Sequence, residues 1–224
     1  MVVPVYDNRD TVCALHERLR RVLRDENLTY EILFVNDACP SGSQAMLERL
    51  ASSDSNVRVT ALSRNVGQHK SVLIGLAQAR GRCAVIMDAD LQDPPEALPL
   101  MFEELRNGYA AVFAGRRGRY ESAGRLVTSR IFKTVLHLLS GVPRDAGMYV
   151  VTSRAMIDHL VARRVEHPFV VAMIGTSGLP LSSIPIPRAT RPSGRSRYSG
   201  WMRLRAGLSA LSIVLRTASR ADLP

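Results

Sequence analysis

Asp88, Asp90 and Asp93, with Gln92 between them, put four oxygen-bearing side chains within six consecutive residues. Carboxylates this close repel one another unless a cation sits among them. A hard divalent ion such as Mg²⁺ or Mn²⁺ takes a few carboxylate oxygens and keeps positions for phosphate. The chemistry such a cluster suits is the handling of a nucleoside diphosphate through a divalent metal. Immediately upstream lies Cys83-Ala84-Val85-Ile86-Met87, an apolar run of the length expected for a buried central strand. Open α/β sheets bind ligands at the carboxyl ends of such strands, where this cluster falls. By itself Asp-x-Asp more often marks a solvated loop that caps a helix; the apolar strand before it narrows that alternative without removing it.

The second group able to do chemistry is basic. From Arg188 onward there are eight arginines and one acid, Asp222, so this stretch holds +7 of the chain's formal +10 and leaves +3 for residues 1–187. Only Lys70 and Lys133 are lysines. A planar guanidinium grips phosphate oxygens two at a time, so an arginine-rich segment fits a phosphate-bearing partner. Arg116, Arg117, Arg119, Arg125, Arg130 and Lys133 form an earlier basic stretch.

Other classes of function are disfavoured. Cys13, Cys39 and Cys83 are odd in number and widely spaced, which fits neither a disulfide framework nor a zinc site and suits a reducing compartment. His69, His137, His159 and His167 show no ligand spacing and read as core or surface residues. No G-x-G-x-x-G follows the first apolar run, against a dinucleotide dehydrogenase. With 5% aromatic residues and no known binding module, the basic charge does not point to nucleic acid. The N-terminus lacks the charge and apolar length of a signal peptide, and no apolar run reaches the 18 or so residues of a membrane span.

The elements that must position these residues alternate between short apolar runs and helical periodicity. In 224 residues, 46% hydrophobic, this is the pattern of one α/β domain with a largely parallel sheet. Strands are expected at residues 2–6, 30–36, 57–62, 83–87, 110–114, 148–152 and 181–187, the last at an edge because of its prolines. Helices are expected at 11–28, 43–52, 68–80 with Gly81 as cap, from 93–96 onward, and at 126–139, 153–163 and 201–216. Residues 115–124 and 188–200 read as loops, and 170–178 suits helix or strand. In the last helix Trp201, Leu204, Leu208, Leu211 and Leu215 form one apolar seam beside Arg203, Arg205, Arg216 and Arg220. It can dock on the domain or lie on an anionic lipid surface. The chain accordingly divides into a body, 1–187, and a basic loop with an amphipathic helix, 188–224.

Four ordered motifs stand out: Val3-Pro4-Val5-Tyr6; Glu31-Ile32-Leu33-Phe34-Val35-Asn36-Asp37; Leu62-Ser63-Arg64-Asn65-Val66-Gly67; and Val85 through Asp88-Ala89-Asp90-Leu91-Gln92-Asp93-Pro94-Pro95-Glu96. Together they resemble the family 2 glycosyltransferases, and within them the dolichyl- or polyprenyl-phosphate sugar transferase branch. The likeness is close to about residue 105 and continues through Ser140-Gly141-Val142 and Asp145-Ala146-Gly147 to Arg191-x-x-Gly194-x-Ser196-Arg197. It implies a GT-A fold, a Rossmann-like and mostly parallel sheet flanked by helices. It also implies a UDP- or GDP-linked sugar donor, a divalent metal (Mg²⁺ or Mn²⁺), and inversion by direct displacement. Carried over by position, Pro4, Tyr6 and Asp7 line the nucleoside pocket and Asp37 bonds the base. Asp88, Ala89 and Asp90 meet the diphosphate; Asp88, Asp90 and Gln92 hold the metal; Arg191 and Arg197 close on the diphosphate. Arg117, Ser129 and Arg130 would cradle the acceptor's phosphate. Where the family has a pair of aspartates, this chain has Asn36-Asp37.

A hydroxyl acceptor requires a general base, whereas a phosphate is already anionic at neutral pH. Asp145 is the carboxylate for that role, or else a turn residue before Gly147. Relatives often carry an acidic or small polar residue at Met148 and an arginine at Val150. The first loss favours a phosphate acceptor and the second argues against an ordinary lipid-phosphate site. The expected function is transfer of a sugar to polyprenyl phosphate by a cytoplasmic protein, at the inner face of the cell membrane if it is peripherally attached. The alternatives are a soluble hydroxyl or amine acceptor, as in polysaccharide or natural-product biosynthesis, and a nucleotide-binding domain without turnover. None of them involves nucleic acid.

Overall fold

The computed structural model describes residues 1–117 and 134–188, with side chains at all of these but 116 and 117. In chain order the elements are β1 (Val2–Val5), α1 (Arg9–Asp25), β2 (Ile32–Asn36), α2 (Ser43–Ser53), β3 (Val57–Ala61), α3 (Gln68–Gln78) and β4 (Cys83–Ile86). A 3-10 turn at Pro95–Ala97 leads into α4 (Leu98–Arg106), then β5 (Ala111–Arg117), α5 (134–140), β6 (Val150–Ser153), α6 (Arg154–Ala162), α7 (Val170–Gly175) and β7 (Leu181–Pro187).

The strands form one sheet in the order β3-β2-β1-β4-β6-β5-β7. β6 alone runs against its neighbours; every other pairing is parallel. Strand side chains alternate between faces, and here both faces are apolar. Val2, Leu33, Ile86, Phe113 and Val150 point to the face covered by α3, α6 and α7. Val3, Phe34, Val85, Val112 and Val151 point to the face covered by α1, α2 and α4. The apolar strands therefore lie inside a three-layer α/β/α sandwich.

Helix packing sets the site's frame. Along α1, Val12, Leu15, Leu19, Val22 and Leu23 recur at helical spacing and are buried. On the opposite face α3 sits very close to the sheet: a Cβ on Gly75 would lie 2.5 Å from Cγ1 of Val2 and 3.0 Å from Cγ2 of Val35. Only glycine fits at that crossing. His16 Nε2 pairs with Asp54 Oδ2 at 2.9 Å, tying α1 to the end of α2.

Two expectations are corrected and one open alternative is resolved. Residues 115–117 continue β5, because Gly115, Arg116 and Arg117 pair with Pro185, Ile186 and Pro187 of β7. Gly81 is not the cap of α3, which ends at Gln78 with an extended Ala79; Arg154 Nη1 donates to the carbonyls of Ala79 and Gly81 instead. The ambiguous stretch from 170 is helical over Val170–Gly175. Leu181–Pro187 is the edge strand expected of it. Among the described residues no helix is long and apolar enough to cross a membrane. The helix expected at 201–216 and the first half of that at 126–139 lie outside the described residues.

Candidate active site

β1 pairs on one side with β2 and on the other with β4, all parallel. The chain winds outward from β1 through β2 to β3 and then returns to place β4 on β1's other flank. A crevice opens at such a reversal, beyond the carboxyl ends of the strands. Tyr6 and Asp7 follow β1, Asp37 follows β2, and Asp88 lies two residues after β4, so four expected site residues gather at one edge. Among the described residues four non-glycine positions have positive φ: Asp7 at 61°, Ala38 at 51°, Leu91 at 60° and Asn27. The first three fall on the loops after β1, β2 and β4. Strain concentrated where a ligand would bind is a common signature of a functional edge.

The loop after β2 is built on hydrogen bonds. Asp37 is 2% exposed; its Oδ1 accepts from the Val66 amide at 2.7 Å and its Oδ2 from the Gly67 amide at 2.9 Å. It thus fixes the turn that starts α3. Asn36 donates from Nδ2 to Gln44 Oε1 at 2.6 Å and accepts from the Cys39 amide at 3.0 Å. Cys39 Sγ faces the Asp7 amide at 3.0 Å and the hydroxyls of Ser41 and Ser43 at 2.9 and 3.1 Å. Burial pushes the thiol up, but these hydrogen bonds outweigh it and bring its pKa down to about 7.

The acidic cluster is held from several sides. Gln68 Nε2 donates to Asp88 Oδ1. Asp90 Oδ1 accepts from the Gln92 amide at 3.1 Å, closing the turn over Leu91. Thr11 of α1 donates to the Ala89 carbonyl at 2.5 Å. Arg188, one residue past β7, reaches into the cluster: its Nε is 3.0 Å from Asp93 Oδ1, and its Nη2 is 3.9 Å from Asp90 Oδ2 and 4.0 Å from Asp88 Oδ2.

Among the described residues no three His, Cys, Asp or Glu side chains form a group that could cage a metal by themselves. The donors are oxygens only. That fits Mg²⁺ or Mn²⁺, which take one or two carboxylates and complete their shell with water and phosphate oxygens.

Asp145 stands at the other side of this edge. The register aligns Ile86 of β4, Val150 of β6, Phe113 of β5 and Ser183 of β7 in one row. Asp88 and Gly115, each two residues further on, are therefore level and two strands apart, roughly 10 Å. Asp145 packs on Gly115 and accepts from Ser183 Oγ at 2.8 Å through Oδ1. A Cβ on Gly115 would come within 2.0 Å of Asp145 Oδ2. Met148 and Val150 are buried in the core beside Phe113. Pro4 is buried within β1, whereas Tyr6 is exposed. The backbone of Arg117 ends β5; Ser129, Arg130, Arg191 and Arg197 lie outside the described residues.

Gln68, Arg188 and Gly115 have site contacts that the sequence reading gave no role. For Gln68 the signal was present, since it is the residue following the Asn65-Val66-Gly67 motif.

Known structures share this architecture. The mannosyltransferase PcManGT from Pyrobaculum calidifontis, solved with GDP-mannose and Mn²⁺, superimposes with a TM-score of 0.69 over 96% of this chain and 63% of its own, at 18% identity. Glucosyl-3-phosphoglycerate synthase from Mycobacterium tuberculosis, solved with Mn²⁺, UDP-glucose and phosphoglyceric acid, also gives 0.69, over 95% of this chain and 78% of its own, at 16% identity. The sheet order and these likenesses define a GT-A fold. Residues 1–160 match the glycosyl transferase family 2 model, and the chain belongs to that family. An undecaprenyl-phosphate 4-deoxy-4-formamido-L-arabinose transferase of Pseudomonas fluorescens is 33% identical over 91% of this chain and 60% of its own length. The uncharacterised glycosyltransferase YkcC of Bacillus subtilis is 31% identical over 88% and 62%. The chain thus spans about six-tenths of the length of these relatives.

Proposed function

We propose that this chain is the catalytic domain of a metal-dependent, inverting glycosyltransferase that moves a sugar from a UDP- or GDP-linked donor to a polyprenyl phosphate of the undecaprenyl or dolichyl type. The observation that carries the reading is the carboxylate cluster at the carboxyl end of β4, where the sheet's winding reverses. The branch to which the relatives belong supports the acceptor.

Asp88, Asp90 and Gln92 would hold the divalent ion, which when bound supplies the charge that neutralises the departing diphosphate. Pro4, Tyr6 and Asp7 flank the nucleoside, and Asp37 fixes the turn at 65–67 beside it. Ala89 keeps the backbone close to the diphosphate, with Thr11 holding its carbonyl. Arg191 and Arg197 meet the diphosphate as preorganised positive charge, and Arg117, Ser129 and Arg130 receive the acceptor's phosphate. The phosphate oxygen attacks the anomeric carbon from the side opposite the leaving group, inverting it. Asp145 is a carboxylate able to take a proton from a hydroxyl acceptor; an anionic phosphate does not require it. The donor is met in the cytoplasm and the lipid at the membrane's inner face, with residues 188–224 as the diphosphate-closing loop and helix.

Labelled UDP- and GDP-sugars offered with undecaprenyl phosphate or with water-soluble hydroxyl and amine acceptors, with and without Mn²⁺, test this reading. A lipid-linked, inverted product that requires Mn²⁺ is expected. Product with soluble acceptors alone overturns the lipid assignment, and turnover that survives chelation of all divalent metal overturns the metal.

A further inference from the structure

We propose that Arg188 is a resident counter-cation of the acidic cluster. A divalent metal arriving alone must compete with it for Asp88 and Asp90, and a nucleoside diphosphate relieves that competition by offering the guanidinium phosphate oxygens. The inference rests on the metal and diphosphate reading above and concerns how the two ligands depend on one another.

The geometry carries it. Arg188 leaves the sheet from β7, three strands away from β4, yet its guanidinium lies among the carboxylates that follow β4. Its Nε holds Asp93 Oδ1 at 3.0 Å. Nη2 stands 3.9 and 4.0 Å from Asp90 and Asp88, inside ion-pair range but beyond a hydrogen bond to either. The side chain is 14% exposed, so its field is poorly screened by solvent.

A metal bound to the Asp88 and Asp90 oxygens at about 2.1 Å would stand within roughly 6 Å of Nη2. A dication and a guanidinium at that separation repel. Either the guanidinium turns away from its two distant partners while keeping Asp93, or the metal binds weakly. A diphosphate changes the balance, because its oxygens accept from guanidinium better than a carboxylate at 4 Å and at the same time complete the metal's shell. Metal and nucleotide then bind with positive coupling, and part of that coupling resides in Arg188.

A purely structural clamp joining β7 to the 88–93 loop predicts the opposite sign, since removing it would loosen the cluster and weaken metal binding. The test is Mn²⁺ binding followed by the electron paramagnetic resonance signal of free Mn²⁺, with and without UDP or GDP. It compares the wild-type chain with Arg188→Gln, Arg188→Met as a second neutral variant, and Arg188→Lys. Thermal unfolding verifies that each is folded. Either folded neutral variant should bind Mn²⁺ alone about tenfold or more tightly than wild type, and nucleotide should enhance its Mn²⁺ affinity less. Arg188→Lys should resemble wild type. Neutral variants that bind Mn²⁺ alone no tighter than wild type overturn the role of Arg188 and leave the metal reading standing. A wild-type chain that binds no Mn²⁺ even with nucleotide overturns both.

Discussion

Gln68, the first residue of α3, donates from Nε2 to Oδ1 of Asp88, so a helix start on one side of the crevice holds the first carboxylate after β4 in a set rotamer. Partners that orient metal-binding side chains typically contribute ten- to a hundredfold in metal affinity. Gln68→Ala should therefore weaken Mn²⁺-dependent binding of UDP or GDP by about tenfold. Calorimetric titration with and without metal is the check; unchanged affinity would mean that Asp88 needs no help from Gln68.

Asp37 holds two backbone amides 29 and 30 residues away in sequence, at Val66 and Gly67. Replacing it with alanine takes the charged acceptor from two part-buried N–H groups, and a hydrogen bond to a charged group contributes about 1.5–3 kcal/mol. Asp37→Ala should lower unfolding free energy by about 2–4 kcal/mol and loosen the turn before α3. Urea denaturation reads the first effect and amide hydrogen exchange at 66 and 67 the second. A loss of nucleotide affinity with neither change would make Asp37 a ligand contact alone.

Gly115 and Asp145 exclude each other's larger forms. A methyl group at Gly115 would overlap Asp145 Oδ2 at 2.0 Å and crowd Ser183 Oγ at 2.7 Å. Gly115→Ala should cost about 1–3 kcal/mol, the usual range for overpacking. Because the closest clash is with the Asp145 carboxylate, Asp145→Ala should relieve most of it, so the double variant should be more stable than the sum of the single changes by about 1 kcal/mol or more. Additivity would show that the strand, and not Asp145, takes up the strain.

What could be read from the sequence divides along physical lines. Cys83–Ile86 and the carboxylates after it were legible because a short apolar run and its flanking acids are local signals. The edge position of β7 followed from Pro185 and Pro187, which cannot donate to a sheet. The misread features all depend on partners remote in sequence. α3 ends at Gln78, and the carbonyls of Ala79 and Gly81 beyond it are taken by Arg154. β5 extends to Arg117 because β7 is there to pair with it. Arg188 reaches Asp93 across a sequence separation of 95, and no pattern within either segment encodes that meeting.

Cys39 offers a chemical probe of the nucleoside side of the crevice. The Ser41 and Ser43 hydroxyls and the Asp7 amide favour its thiolate over burial, bringing it to about 7. Burial has the upper hand at Cys83, which is pushed above the ordinary thiol value. Since the thiolate is the nucleophile, iodoacetamide at pH 7.5 should label Cys39 well before Cys83, with a rate that rises around pH 7. Peptide mass spectrometry across pH 6 to 9 would reveal either order, and equal rates would contradict the hydrogen-bonded thiolate.

His69 links pH to stability. Its ring packs tilted by 50° against that of Phe169, centroids 4.6 Å apart, and its Nδ1 accepts from the Val170 amide at 3.3 Å, at the start of α7. Burial among apolar groups disfavours the imidazolium and lowers its pKa to about 4, against 6.5 for an ordinary histidine. Below 6.5 the unfolded chain takes up a proton that the folded chain refuses, so this contribution is fully present above 6.5 and is lost as pH falls toward 4. A shift of that size corresponds to about 3 kcal/mol. Urea unfolding at pH 7 and pH 4.5 should show that loss in the wild type. His69→Gln, which retains an acceptor for the Val170 amide and does not titrate, should lower stability at pH 7 but flatten its dependence on pH. An equally steep decline in the variant would assign the acid sensitivity to the carboxylates instead.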